Sequence, residues 1–166
     1  MSLARYIRPE LIKLEMETTM PPEPEEPYDR TRFVWSVKER VISELAELVA
    51  ASGRIGSLNR LTNDLINREK KATTGLSHGV AIPHVRTREA REFLMAFARS
   101  TPGIDFDCLD GQPAHIFFVL VAPPYDDTTY LRFYKRMAEA VVFQELTEQL
   151  MRAGSEGEII RILKRI

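Results

Sequence analysis

The nine residues "AHIFFVLVA" (114–122) constrain this chain more than any other stretch, because every position except His115 is apolar. A strand with one face in water alternates apolar and polar residues, so a run without alternation needs cover on both faces. The segment is therefore read as the central strand of a sheet, with the turn "DGQP" (110–113) ahead of it and "PPYDD" behind it. Further strands are expected at "GVAIP" (79–83) and "EFLMAFARS" (92–100), with weaker candidates at "LIKLEM" (11–16) and at "PGIDFD" (102–107) as a short edge piece.

Helical periodicity surrounds these strands. Ser36 and Glu39 have capping-box spacing, and Val37, Val41, Leu45, Leu48 and Val49 recur on one face up to Gly53. Ser57 is placed to cap a second helix with the stripe Leu58, Leu61, Leu65 and Ile66, whose last turn holds Arg68 and Glu69. After the central strand come Leu131/Tyr134/Met137/Ala138/Val141, then Phe143/Leu146/Leu150/Met151, then a terminal helix capped by Ser155. Helices before and after a run of strands predict an α/β (α+β) fold: a single domain with a mixed β-sheet flanked by helices on both faces. Residues 1–30 are read as an N-terminal strand and a Pro/Glu-rich connector, and 31–166 as the domain proper. The connector "ETTMPPEPEEPYD" (17–29) reads as solvated and extended, and the opening Met-Ser-Leu is given no structural weight.

Composition removes several functions. Lys+Arg total 23 against 24 Asp+Glu, with no basic block, so nucleic acid is not expected as a partner. A single cysteine, Cys108, forms no internal disulfide, and no export signal is visible, which points to the cytoplasm. The longest apolar stretch, Ile116 to Ala122, is far short of the roughly 18 residues of a membrane-spanning helix. No metal or other cofactor is expected: Cys-x-x-Cys and His-x-x-x-His pairs are absent from the sequence. Asp107 and Asp110 disfavour a thiolate at Cys108, which reads as a small apolar filler. His115, inside the strand pattern, reads as structural, and His78, beside a glycine, as a solvated loop residue.

The stretch "TTGLSHGVAIPH" (73–84) holds more than a strand needs. Gly75 and Gly79 permit backbone conformations and close approaches that side chains forbid, and Thr73 and Thr74 add hydroxyl donors. Pro83 has no N–H for a sheet ladder, so the strand is expected to end there and present His84 at its tip. Such a histidine either caps a turn or serves as a nucleophile toward a phosphoryl group whose oxygens the surrounding donors hold.

The longer run "REKKATTGLSHGVAIPH" (68–84) resembles the signature of the mannitol/fructose-type and nitrogen-regulatory IIA proteins of the bacterial phosphotransferase system. The resemblance extends more loosely over roughly residues 31 to 166. It implies that His84 accepts a phosphoryl group through Nε2, that Arg68 helps hold the phosphate or the partner, and that Thr74, Gly75 and Gly79 shape the pocket. It also implies partners: the phosphocarrier protein HPr or its nitrogen-branch equivalent as donor, and a permease IIB component, a transporter or a sensor kinase beyond it. In one place the chain departs from the pattern. Family members usually carry a second histidine where "DDTTYLRFYKR" places Tyr130, a neutral donor that cannot become a cation. Two readings follow, a phosphoryl carrier and a non-catalytic regulatory module that keeps the IIA surface and binds a transporter or kinase. No GxSxG elbow or phosphate loop for ATP favours a third.

Overall fold

A computed structural model describes residues 2–166, and among them the chain forms five strands and five α-helices. In chain order these are β1 (Ile12–Lys13), α1 (Arg30–Ala50), α2 (Leu58–Lys71), β2 (Val80–Ala81), β3 (His84–Arg86), β4 (Leu94–Ile104), β5 (Ala114–Ala122), α3 (Asp127–Ala140), α4 (Gln144–Arg152) and α5 (Glu156–Leu163). β5 lies inside the sheet, antiparallel to β4 on one side and parallel to β2 and β3 on the other, while β1 runs parallel to β4 at the edge. The sheet is mixed, as predicted.

Both faces are covered, and strand alternation shows how. Phe117, Val119 and Val121 join Ala96 and Ala98 of β4 beneath Val41, Leu45, Leu61 and Leu65 of α1 and α2. Ile116, Phe118 and Leu120 point the other way, with Met95 and Phe97, onto Phe133, Met137, Leu150, Ile159 and Leu163 of the last three helices. Each fully buried aromatic or aliphatic side chain in these layers contributes about 1.5–3 kcal/mol. The unalternating run was thus the correct sign of a two-faced core.

Two boundaries and two packing details differ from the sequence reading. α1 starts six residues before Ser36, because Asp29 accepts from Arg32 N and caps it; Ser36 lies inside the helix and donates to the Phe33 carbonyl. The edge piece at 102–107 is in part the end of β4, which reaches Ile104 through an irregularity after Arg99. Leu3, given no weight above, is fully buried in the second layer beside Leu163. The connector is largely exposed, but its start is tied down: Glu17 N and Thr18 N both donate to the Glu44 carboxylate at 2.8 Å. The Ser57 and Ser155 caps form as expected.

Candidate functional site

Pro83 interrupts the strand without ending its course along β5: β2 stops at Ala81 and β3 opens at His84. Val80 faces Ile116 and His84 faces Leu120, so one register runs across the proline. The missing N–H is harmless because the ladder uses the other half of the residue: the Pro83 carbonyl accepts from Leu120 N at 3.0 Å. His84 therefore opens β3 and is held in the sheet, rather than standing at a free tip.

The imidazole is 7% exposed and both ring nitrogens are engaged. Nδ1 lies 2.6 Å from the Ile82 carbonyl, which can only accept, so Nδ1 carries the proton. In the neutral ring Nε2 then holds a free electron pair, and it accepts from Arg68 Nη2 at 3.2 Å. Arg68 is aimed by a second bond, from Nη1 to the Ala72 carbonyl at 3.1 Å. Burial is the largest influence on the His84 pKa and lowers it; the Ile82 carbonyl opposes this, Arg68 adds to it and Glu69 opposes it. The net shift favours the neutral ring with its lone pair on Nε2.

Tyr130, in the first turns of α3, stands beside this imidazole with ring centroids 5.8 Å apart. Burial pushes its phenol up to about 12, against the opposite pull of Arg68 and Arg86, so the hydroxyl stays protonated. The Arg86 guanidinium lies 5.7 Å over the same ring and pairs with Asp127. These residues line one open cleft together with Asn67, Lys71 and Arg88.

The predicted site residues fall into two groups. His84, Arg68 and Tyr130 meet in the cleft. Thr73 and Thr74 do not reach it: Thr74 donates from both N (2.9 Å) and Oγ1 (2.6 Å) to the Glu69 carboxylate, and Thr73 Oγ1 donates to the Phe106 carbonyl. Nor do the glycines form a nest at the imidazole. A Cβ at Gly75 would stand 2.8 Å from the backbone of Cys108, and Gly79, at φ +76°, turns the chain so that its carbonyl accepts from His115 N and Ile116 N. Both are packing and turn residues that deliver the strand.

Sequence reasoning missed Tyr134, whose ring centroid is 4.4 Å from that of His84, and Arg86. Both had a readable signal. Tyr134 is one helical turn beyond Tyr130 and Arg86 is two residues beyond His84 on one strand, so each shares a face with a residue already singled out. His115 is structural as expected, its Nδ1 3.2 Å from both the Ser100 and Thr101 carbonyls. Burial, then Asp110 and Asp105, push the Cys108 thiol up to about 12.

Residues 31–166 match the family described as "Phosphoenolpyruvate-dependent sugar phosphotransferase system, EIIA 2". The fructose-specific EIIABC component of Bacillus subtilis is 34% identical over 128 residues, which are 77% of this chain and 20% of that longer protein. The fructose-specific EIIA component of Haloferax volcanii is 30% identical over 131 residues, 79% of this chain and 85% of the relative. Among solved structures, the nitrogen regulatory protein IIA-Ntr of Neisseria meningitidis superposes with a TM-score of 0.80 at 27% identity, covering 97% of this chain and 98% of the other.

Proposed function

This chain belongs to the EIIA 2 family of the phosphoenolpyruvate-dependent sugar phosphotransferase system, and from that premise we propose that His84 Nε2 is the atom on which it carries a phosphoryl group. The protein is a IIA-type phosphoryl carrier for sugar uptake or regulation. One observation carries the choice of atom: the Ile82 carbonyl holds the proton on Nδ1, leaving the lone pair on Nε2 facing a guanidinium at the cleft. The carrier unit is residues 31–166.

The transfer needs little more than positioning. The Nε2 electron pair attacks phosphorus of the donor's phosphohistidine, the donor's P–N bond breaks, and its electron pair returns to the donor imidazole. The Nδ1 proton stays where it is, and the Ile82 carbonyl steadies the positive charge that the ring acquires. Arg68 moves its N–H from Nε2 to a phosphoryl oxygen, where guanidinium geometry fits. The donor is HPr or its nitrogen-branch equivalent; the next partner is a permease IIB component in uptake, or a transporter or sensor kinase in regulation. These partners place the carrier in the cytoplasm.

The test is incubation with phosphoenolpyruvate, the first enzyme of the system and its carrier protein, followed by intact mass. Gain of one acid-labile phosphate, absent in His84→Ala, is the expected result; label on His78 or His115 overturns the assignment. One feature favours the second reading, a binding module without transfer: the neutral phenol of Tyr130 where the resemblance places a histidine. That reading predicts no gain in mass.

A further inference from the structure

A phosphoryl group on His84 brings close to two negative charges into a cleft where, among the described residues, Arg68 is the one cation hydrogen-bonded to the imidazole. Tyr130 stays neutral there and contributes a dipole, not a charge. The cleft holds other cations, and their placement separates them. Arg60 is 3.6 Å from Glu89 and belongs to that carboxylate, which also accepts from Ser57 N. Lys71 lies one turn beyond Arg68 at the end of α2, and Arg88 lies past Thr87, whose hydroxyl donates to Asp64. Arg86 differs from all of these. It is two residues from His84 on β3, so the two side chains leave the same face of the strand. Its guanidinium and the His84 ring both lie within 6 Å of the Tyr130 ring centre.

We propose that Arg86 is a second phosphoryl-binding residue, supplying the fixed positive charge that Tyr130 cannot. The proposal rests on His84 being the acceptor. In the unphosphorylated protein Asp127 holds the guanidinium at the mouth of the cleft, in an ion pair whose two side chains are both substantially exposed and therefore weakly held. When the phosphoryl group arrives, Arg86 exchanges the exposed carboxylate for the phosphoryl oxygens, guided over the face of Tyr130. Asp127 is thereby a holding partner, and the cation is ready before transfer begins. An arginine remains charged at every accessible pH.

The experiment compares phosphoryl uptake from the phosphorylated carrier protein by wild type, Arg86→Gln, Arg86→Lys, Lys71→Gln and Arg88→Gln, reading both the initial rate and the phosphorylated fraction at equilibrium. A charge-assisted contact to the group predicts a loss of about tenfold or more for Arg86→Gln, partial recovery for Arg86→Lys, and smaller losses for the other two. Uptake by Arg86→Gln equal to wild type, or a loss no greater than in Lys71→Gln and Arg88→Gln, overturns the proposal while leaving His84 as acceptor; failure of wild type to take up phosphate removes the reading beneath it. Should Arg86→Gln not fold, Asp127→Asn carries the test. Freed from its carboxylate, Arg86 then raises the phosphorylated fraction, and an unchanged or lower fraction overturns the assignment.

Discussion

Arg68 and Glu69 are neighbours in the last turn of α2, yet they end in opposite surroundings because consecutive helical residues point about 100° apart. Arg68 turns to the open cleft and meets His84 Nε2 at 3.2 Å. Glu69 turns inward, where its carboxylate meets Lys38 Nζ at 2.8 Å with 1% and 3% of the two side chains exposed. Glu69 is also bonded to Thr74 N and Oγ1, and Lys38 lies 4.7 Å from the Phe106 ring centre. The inner cluster joins α1, α2 and the segment leading to β2, and its carboxylate is filled by protein donors. The cleft keeps contacts that an incoming group can replace. One pair of adjacent residues thus divides the work: Glu69 fixes the helix end, and Arg68 uses that fixed end to reach His84 Nε2.

The largest effect is expected on the inner side. Glu69→Ala leaves the Lys38 ammonium buried without its carboxylate and strips two donors on Thr74 of their acceptor, a loss of about 3–5 kcal/mol in unfolding free energy. Urea unfolding measures it directly. The paired replacement Lys38→Met with Glu69→Leu removes both charges and is expected to lose less than the single change, with Thr74 still unsatisfied. A single change that leaves the unfolding midpoint in place would mean that the inner cluster fixes nothing.

Arg68→Ala is expected to do the reverse. Loss of a charged hydrogen bond to the phosphoryl group, worth about 1.5–3 kcal/mol, slows uptake by about 10- to 150-fold. The melting temperature stays near that of wild type because Arg68 is only half-buried and packs no core. A large drop in melting temperature with little change in uptake would reassign Arg68 to structure and erase the contrast with Glu69.

How far this division was legible in the sequence depends on distance along the chain. The two-faced strand and the helical stripes announced both core layers, because periodicity is local and burial follows it. The start of α1 was hidden, since Ser36 offered a cap inside the helix, the half-buried Phe33 that begins the stripe lies ahead of it, and Asp29 looked like part of the connector. His84, Arg68 and Tyr130 were readable as a set through the resemblance. Thr73 and Thr74 were misplaced for a physical reason: nearness in sequence to His84 suggested nearness in space, whereas the segment turns inward to Glu69 and Phe106. The Lys38–Glu69 pair joins residues on two helices, and no spacing rule connects them. A lysine inside the stripe Val37, Val41, Leu45 was the one visible trace.

Tyr130→Phe is a smaller test, confined to the cleft. The hydroxyl remains protonated because burial pushes it up to about 12, so it can give one neutral donor to a phosphoryl oxygen. Its removal is expected to disfavour the phosphorylated form by about 1.5 kcal/mol, the low end for a bond to a charged group, because the cleft is open to water. Tyr130→His is expected to raise uptake, most visibly below about pH 6.5 where an added imidazole is charged. Uptake curves at two pH values check both, and three identical curves would place Tyr130 outside the site.

The smallest expected effect is a pH dependence of stability that originates at His84. Burial is the main reason its folded-state pKa lies below the ordinary value, with Arg68 acting in the same direction. The sign follows from proton counting. Below about pH 6.5 the unfolded chain takes up a proton on this side chain that the folded protein still refuses, so falling pH favours unfolding. The loss starts as pH drops through the unfolded value and stops once the folded pKa is passed; above about pH 7 His84 contributes no slope. Unfolding free energy measured between pH 7.5 and about pH 5 should therefore fall more steeply for wild type than for His84→Gln, which has the polarity without the titration. In Arg68→Ala the slope should shrink, since one of the two influences that depress the pKa is gone and the Ile82 carbonyl and Glu69 act against burial alone. Equal slopes in all three proteins would mean that the imidazole titrates as it does in water, and the neutral lone pair on Nε2 would then owe nothing to the buried setting of the cleft.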